Sequence, residues 1–305
     1  MHFSLFHPLG TQRTPGRPLS VAGIPNYKLR ADKLQALVDK LWQADRDRVD
    51  LRPQYQGHVS DRGSGGKAYD APLPLLNLPA SQLAAVQSKD IYTKFRALQN
   101  NYEHHTGVAE DILQNRAEQR EQARFLDAIL ASGPMQQLYN YLHRDHHPFA
   151  SDAGTWKQWV SQLWFQLYSR QRGVADTSGF EHVFIGEIKN GEVSGLHNWY
   201  QFLAMEAQGA IDYQGFNRLA SVKYLVGPRK YRKNSGSMLF GTSPAFDMAF
   251  YTLCFLTHRD RNTCNVKLEG CAVRVTSYAV TQRPRGGGPA QVFIGSIFPS
   301  AGQRC

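Results

Sequence analysis

The spacing of apolar residues changes once along this chain, near Gly179, and that change restricts the fold more than any other feature. Upstream, apolar residues recur every three or four positions, as in helices with one buried face. In the first predicted helix, residues 31–47, they are Leu34, Leu37, Val38, Leu41 and Trp42. The same spacing predicts four or five further helices between residues 91 and 168.

Downstream of Gly179, short β-type runs are separated by Gly and Pro, at residues 183–185, 221–226, 272–280 and 291–297. One helix is predicted among them, Pro244 to Leu256, with Ser243 as its N-cap. The sequence therefore predicts an α+β fold, in which an N-terminal helical lobe is followed by a C-terminal lobe of antiparallel sheets with flanking helices.

The predicted boundaries follow from the same patterns. Residues 1–26 lack periodicity and form a flexible arm, residues 27–175 form the helical lobe, and residues 176–305 form the β-rich catalytic lobe. A glycine-rich loop is expected at 63–67, and Pro72, Pro74 and Pro79 are expected to keep the chain irregular until Asp90.

The charge balance points to a polyanionic partner. The formal net charge is +10, which attracts nucleic acid, anionic membrane or sulfated sugar. No apolar run is long enough to cross a bilayer, and the first residues lack the pattern of a signal peptide. We therefore expect a soluble monomer of the cytoplasm or nucleus that does not engage membranes, with secretion as the alternative.

The cysteines and the missing nucleotide motifs narrow the chemistry. The chain has four cysteines without CxxC spacing, so we expect reduced thiols, with a single disulfide as the alternative. Glycine-rich phosphate loops, dinucleotide fingerprints and HExxH are absent, which argues against nucleotide hydrolysis and zinc proteolysis.

Two of the eleven histidines stand in an unusual setting. His182 is expected at the start of an apolar strand between two acidic residues, and His197 follows a polar turn. Imidazoles suit both proton roles of RNA cleavage because their pKa lies near neutrality. The spacing alone is equally compatible with two hydrogen-bonded core histidines. The other histidines are expected to be solvated or structural, and a zinc site at residues 143–147 lacks suitable ligand spacing.

Three blocks of sequence, in a fixed order, favour catalytic over structural roles for His182 and His197. Phe180 to Glu187 reads FEHVFIGE, Gly195 to Trp199 reads GLHNW, and Lys233 is followed by Ser237 and then by GTSP at residues 241–244. This arrangement resembles the EndoU (XendoU) family of uridylate-specific endoribonucleases, and the likeness covers about residues 27–299.

The resemblance implies a role for each matching residue. His182 and His197 are the acid and base pair, and the histidine of the HNW segment is usually the base in similar enzymes. Lys233 is the cation that stabilises the phosphorane, as a fixed charge can where negative charge develops. The supporting residues are Glu181, Glu187 and Asn198, and the substrate-binding residues are Ser237, Ser277, Tyr278, Arg229 and Lys230.

One position departs from the family pattern. Where similar enzymes have S-P-E-F-E, this chain has Ala245 and Asp247 in place of the two glutamates. The resemblance implies cleavage of uridine-rich single-stranded RNA through its 2′-hydroxyl, leaving 2′,3′-cyclic phosphates, with stimulation by Mn²⁺ or Ca²⁺ at ligands that the sequence does not identify. The alternative is a catalytically weak protein of the same fold that binds RNA or another polyanion.

Overall fold

The computed structural model describes residues 27–59, 69, 71–111, 115–171, 173–218, 221–260, 263–283 and 287–302 of the 305-residue chain. The predicted arm, residues 1–26, and the glycine-rich loop at 63–67 lie outside the described residues. Helices precede most of the strands, and both are abundant, so the predicted α+β class is confirmed.

Six α-helices precede the first strand in the part of the chain that the structure describes. They are α1 (Ala31–Ala44), α2 (Ala80–Ser88), α3 (Asp90–Ala97), α4 (Arg116–Ala131), α5 (Gly133–Arg144) and α6 (Ala153–Trp164). Helix α1 buries one face, as its spacing predicted. Helix α2 corrects the expectation that the chain stays irregular until Asp90. Pro79 lies just outside this helix, where a proline breaks no helical hydrogen bond.

The described residues of the second half contain two more α-helices and eight strands. The helices are α7 (Trp199–Ala207) and α8 (Pro244–His258), and the strands are β1 (Glu187–Lys189), β2 (Glu192–Ser194), β3 (Ile211–Arg218), β4 (Ser221–Val226), β5 (Tyr231–Ser237), β6 (Thr263–Leu268), β7 (Cys271–Gln282) and β8 (Gln291–Ala301). They form a five-stranded sheet in the order β1-β2-β5-β4-β3 and a three-stranded sheet in the order β6-β7-β8.

The five-stranded sheet is mixed, which corrects the expectation of antiparallel sheets throughout. Strands β2 and β5 pair in parallel, at Glu192 and Arg232. Helix α7 and the β3–β4 hairpin lie between them in the sequence, and such a crossover brings the chain back in the same direction. The other strand pairs are antiparallel, as predicted.

Helix α8 runs through the core and joins the helical and β-rich parts. The Ser243 hydroxyl accepts a hydrogen bond from Phe246 N at 3.0 Å, so this N-cap is confirmed. Nearly every residue of α8 is buried, and it contacts α1, α3 and α5 as well as β6, β7 and β8. The proposed boundary at residues 175 and 176 stays a prediction. No helix of the described part is long and apolar enough to cross a bilayer.

The expectation of reduced cysteines is wrong. Cys254 in α8 and Cys264 in β6 form a disulfide across a Cα–Cα distance of 5.5 Å, and Cys271 is disulfide-bonded as well. The sequence spacing carried no sign of this pairing, because helix α8 and the following turn bring the two residues together only in the folded chain.

Candidate active site

A cavity of about 1150 Å³ opens between the two sheets. Side chains from β4 and β5 line one wall, and side chains from β7 and β8 line the other. The predicted catalytic and substrate-binding residues that line it are His182, His197, Lys233, Ser237 and Tyr278. The fold thus gathers at one cleft residues that are far apart in sequence.

His182 lies in a π-helical turn, Glu181–Ile185, where a β-strand was predicted. The strand prediction was wrong because a short apolar run such as Val183 to Ile185 is equally compatible with a buried strand and a buried helical turn. Gly186 has φ +95° and ends the turn, and β1 begins at the next residue. Single π turns occur often at functional sites, and this one aims His182 into the cavity.

The backbone holds the two histidine segments together. Leu196 N donates to the carbonyl oxygen of His182 at 2.9 Å, and His197 N donates to that of Val183 at 2.7 Å. Gly195 has φ +72°, and a Cβ there would overlap the His182 carbonyl oxygen. Only glycine therefore fits this approach, which leaves the two imidazole centroids 6.2 Å apart.

Both ring nitrogens of His182 have partners. Nδ1 lies 3.0 Å from Glu187 Oε2, and Nε2 lies 3.0 Å from the Ser296 hydroxyl. Glu187 also accepts hydrogen bonds from Arg170 Nε at 3.1 Å and from the Thr177 hydroxyl. A carboxylate at Nδ1 fixes the ring orientation and leaves Nε2 facing the cavity.

The charges around His182 favour an ionised carboxylate beside the ring. Burial raises the pKa of the Glu187 carboxyl, but His182, the Arg170 guanidinium and Thr177 outweigh burial and hold that pKa at about 2. Burial lowers the pKa of His182, and Glu187 opposes the fall. The pKa of His182 stays below that of an ordinary histidine, and Glu187 is the group that favours its protonated form.

His197 has a different environment. Its Nδ1–H donates to the Ser237 carbonyl oxygen at 2.7 Å, and its ring stacks on Phe298 with the centroids 5.3 Å apart. Burial, then the positive charges of Lys233 and His182, lower the pKa of His197 well below its usual value. His197 is therefore neutral at pH 7, with a lone pair on Nε2.

Lys233 supplies the cation of the site. It lies on β5, and its Nζ donates to the Gly195 carbonyl oxygen at 2.8 Å. Burial lowers the pKa of Lys233 to about 8, although Glu187 and Glu192 oppose the fall. The ammonium group therefore keeps its proton over most of the neutral range and places a positive charge at the cavity wall.

Asn198 acts through the backbone next to His197. Its side-chain oxygen caps α7 by accepting hydrogen bonds from Tyr200 N and Gln201 N, and its amide donates to Asp247 at 3.4 Å. Because Asn198 is fully buried, these bonds fix the position of the backbone next to His197. Asn198 is a positioning residue.

Glu181 and Glu187 both flank His182 in the sequence motif, but Glu181 does not take the position that Glu187 takes beside the ring. It is fully buried and does not line the cavity, and Glu187 rather than Glu181 contacts the His182 ring. Burial, then the charges of Glu110 and Glu187, raise the pKa of Glu181 well above its usual value. Glu181 is not among the charged groups that shift the pKa of His182, so it has no electrostatic role at that ring.

The structure brings Ser237 and Tyr278 to the cavity but not Ser277. The Ser277 hydroxyl donates to the His258 carbonyl oxygen at 3.2 Å and is buried on the opposite face of β7. Successive strand residues point to opposite faces, so Tyr278 and Ser277 cannot both face the substrate. The expectation that Ser277 binds substrate is corrected.

Arg229 and Lys230 are also outside the cavity lining. They are exposed in the turn between β4 and β5, and Arg229 donates to the Tyr231 hydroxyl at 3.4 Å. Their proximity to Lys233 in sequence was misleading, because β5 advances roughly 3.3 Å per residue and carries the turn away from the site.

The sequence did not predict the other residues that line the cavity, among them Arg170, Arg274, Ser296 and Phe298. Ser296 is one of only two polar side chains in the last predicted strand, QVFIGSI, and that exception could have identified it, whereas Arg170 stands in a polar stretch without any motif.

The residues do not form an evident metal site. Among the described residues, no group of three or more His, Cys, Asp or Glu side chains is placed to hold a metal ion. Among these residues no ligand set for the expected Mn²⁺ or Ca²⁺ is identified, and stimulation by either ion stays a prediction.

Replacing Glu187 by Gln is expected to lower kcat/KM roughly 10- to 100-fold, the range found when a partner that orients a functional histidine is lost. Because Glu187 raises the pKa of both His182 and Lys233, its loss should also move the basic limb of the pH profile to lower pH. Initial rates on RNA between pH 5 and pH 9 measure both effects.

Glu192→Gln is the matched control, because Glu192 is an exposed carboxylate whose charge acts on Lys233 and not on His182. It should leave kcat/KM within a few-fold of the wild type. A Glu187→Gln protein with a wild-type pH profile contradicts the role given to this carboxylate, whatever its melting temperature.

Comparison with known proteins agrees with the geometry. The family model "Endoribonuclease XendoU" matches residues 33–299. A Xenopus tropicalis protein named poly(U)-specific endoribonuclease is 36% identical over 295 residues, covering 88% of this chain and 92% of that protein. Uridylate-specific endoribonuclease D of Xenopus laevis is 30% identical and covers 92% of this chain and 94% of its own length.

Two further matches define the extent of the likeness. The chain covers 66% of the mouse uridylate-specific endoribonuclease, at 31% identity, and so spans just under two thirds of that relative. A solved structure described as XendoU, a splicing-independent snoRNA-processing endoribonuclease, superposes with a TM-score of 0.68 at 31% identity, covering 91% of this chain and 99% of that one.

Proposed function

This chain belongs to the XendoU endoribonuclease family, and from that premise we propose that it cleaves single-stranded RNA at uridylates and leaves 2′,3′-cyclic phosphate ends. One observation carries the proposal: two imidazoles with different partners and one buried ammonium group line the same cavity. Such a set provides a base, an acid and a cation for phosphodiester cleavage.

His197 is the general base in this proposal. Its Nδ1–H is held by the Ser237 carbonyl oxygen, so the lone pair lies on Nε2. Its lowered pKa keeps it neutral, which a base requires before the reaction. Nε2 takes the proton of the uridine 2′-hydroxyl as that oxygen attacks the adjacent phosphorus.

His182 is the general acid. The Glu187 carboxylate at Nδ1 stabilises the protonated ring, and Nε2–H faces the cavity beside the Ser296 hydroxyl. As the bond between phosphorus and the 5′-oxygen breaks, Nε2 gives its proton to that leaving oxygen. The products are a 2′,3′-cyclic phosphate and a 5′-hydroxyl, and the step consumes no water.

Lys233 stabilises the charge that develops on the phosphorane. Its ammonium group is already fixed by the Gly195 carbonyl oxygen, so little reorganisation is needed when the charge appears. Burial strengthens its interaction with a phosphate oxygen, because the local dielectric is lower than that of water.

Ser237 and Tyr278 support the choice of uridine. Ser237 is buried at the cavity wall beside His197, where its hydroxyl or N–H can bond the uracil carbonyl edge. Tyr278 is 40% exposed and stacks near Phe298, with the centroids 6.4 Å apart, so its ring offers a surface to the base or sugar.

Oligonucleotides that differ only at one scissile base test both the proposed cleavage and the role of Ser237 in recognising uracil. Wild-type protein should cut at uridine and release a 2′,3′-cyclic end, detected by mass spectrometry. Ser237→Ala should narrow the uridine-to-cytidine ratio by ~1 to 3 kcal/mol, the usual worth of one base contact, while keeping the carbonyl oxygen that orients His197.

Ser235→Ala is the matched control, because Ser235 lies on the same strand and its hydroxyl contacts that of Ser221. Its base ratio should equal that of the wild type. Binding without cleavage by wild-type protein would identify the chain as a polyanion-binding protein of this fold and overturn the proposed function. An unchanged uridine-to-cytidine ratio in Ser237→Ala would show that Ser237 does not recognise the base.

Metal stimulation, oligomeric state and compartment are separate parts of the proposal. Stimulation by Mn²⁺ or Ca²⁺ rests on the family resemblance, and cleavage in EDTA against cleavage in added metal tests it. The monomeric state is likewise a proposal, and size-exclusion chromatography with light scattering tests it. The Cys254–Cys264 disulfide supports an oxidising compartment over the cytoplasm or nucleus, and fractionation of the source cells tests that choice.

A further inference from the structure

Arg274 marks one end of the cavity and has no role in the chemistry above. It lies on β7, is exposed, and lines the same cavity as both histidines. No carboxylate among the described residues lies within ion-pair distance of its guanidinium, whereas Arg170 at the other end is paired with Glu187. An exposed arginine that lines an RNA cleft without a carboxylate partner is suited to bind a phosphate.

The register of β7 and β8 gives Arg274 a position relative to the histidines. Tyr278 is opposite Ser296, and Arg274 is opposite Ser300. Ser296 contacts His182, so the His182 end and the Arg274 end are four residues apart along the strands, which is ~13 Å. A stacked strand advances roughly 3.4 Å per nucleotide, so this distance accommodates more than the scissile nucleotide.

The direction of the RNA follows from which histidine is the acid. The acid protonates the 5′-oxygen of the downstream nucleotide, so the downstream strand leaves past His182 and Ser296. Phe298 lies between the two ends and stacks on His197, the base beside the uridine 2′-hydroxyl. The upstream strand therefore passes Phe298 toward Ser300 and Arg274.

We propose that Arg274 binds the phosphate on the 5′ side of the scissile uridine. The inference rests on the proposed function and adds a subsite to it. A substrate with a nucleotide upstream of the uridine gains a charged contact with Arg274, and a substrate that begins at the uridine lacks it. The protein then favours internal uridines over a uridine at a 5′ end.

Neutral linkages in the RNA test this contact directly. Three oligonucleotides with a single uridine are compared: one unmodified, one with a methylphosphonate 5′ of the uridine, and one with a methylphosphonate one nucleotide beyond the scissile phosphate. For wild-type protein, the upstream replacement should lower kcat/KM roughly 10-fold, as expected for one hydrogen-bonded charge. For Arg274→Gln, the upstream replacement should have no effect.

Arg283→Gln is the matched control, because Arg283 is an exposed arginine just beyond β7 that does not line the cavity. It should keep the wild-type response to the upstream replacement. Equal sensitivity of wild type and Arg274→Gln overturns the proposal, and so does a loss of sensitivity to the downstream replacement instead. Failure of the proposed function is distinct, since wild-type protein would then leave the unmodified oligonucleotide intact.

Discussion

Replacing either His182 or His197 by Ala is expected to lower the rate of RNA cleavage at least ~100-fold, the low end for a positioned acid or base. Each ring faces the cavity with one nitrogen while its other nitrogen is held by Glu187 or by the Ser237 carbonyl oxygen. Because each imidazole moves a different proton, neither can replace the other. Initial rates on a single-uridine oligonucleotide measure the loss.

The pH profile separates the two roles. The base must be neutral, and the pKa of His197 is held well below that of an ordinary histidine. Activity should therefore persist as the pH falls below 6.5 and disappear only as the pH passes through the lowered pKa of His197. The acid must be protonated, so the basic limb reports His182, whose pKa is lowered by burial, and Lys233, whose pKa burial lowers to about 8.

His143→Ala is the matched control for both substitutions. His143 also bonds a backbone carbonyl oxygen, that of Ala150 at 2.7 Å, but it lies on α5 outside the cavity. It should keep activity within a few-fold of wild type. Near-wild-type activity in His182→Ala or His197→Ala, with a melting temperature unchanged from wild type, would sink the assignment of that residue.

The regular elements were predictable because their apolar spacing reports burial directly. The stripe in α1, the capped start of α8 and the last two strands were visible in the sequence, since a buried face repeats with the period of its element. Short elements carry too few repeats for that. The turn at Glu181–Ile185 has a single apolar run, and α2 follows a proline that reads equally well as part of a loop.

The family resemblance predicted which motif residues share the cavity, but not which of their neighbours face it. His182 and His197 meet there because their segments pair through the backbone, and Lys233 joins them by donating to the Gly195 carbonyl oxygen. Ser277 was assigned to the cavity although its side chain lies on the other face of β7. A one-residue step along a strand changes the face, and the motif does not show which residues face the cavity. Arg274 was missed because its significance depends on the register with β8, which is set by contacts distant in sequence.

A 2′-deoxyuridine at the scissile position is expected to lower cleavage more than ~1000-fold, because it removes the attacking group. In the proposed reaction the nucleophile is part of the substrate, and well-oriented intramolecular attack corresponds to effective concentrations of about 10⁵ to 10⁸ M. His197 Nε2 activates that hydroxyl, since its Nδ1–H is already committed to Ser237. Cleavage of matched ribo- and deoxyuridine oligonucleotides, followed by gel and mass spectrometry, measures the effect.

The position of the sugar change supplies the control. A 2′-deoxy sugar one nucleotide to either side of the uridine should leave the rate within a few-fold, because those hydroxyls do not attack phosphorus. The deoxyuridine oligonucleotide should still compete for binding, since in the proposed complex Lys233 and the cavity wall contact phosphate and base rather than the 2′-oxygen. Efficient cutting at deoxyuridine, with a 5′-phosphate on the downstream fragment, would instead require an activated water as the nucleophile and would overturn the roles of both histidines.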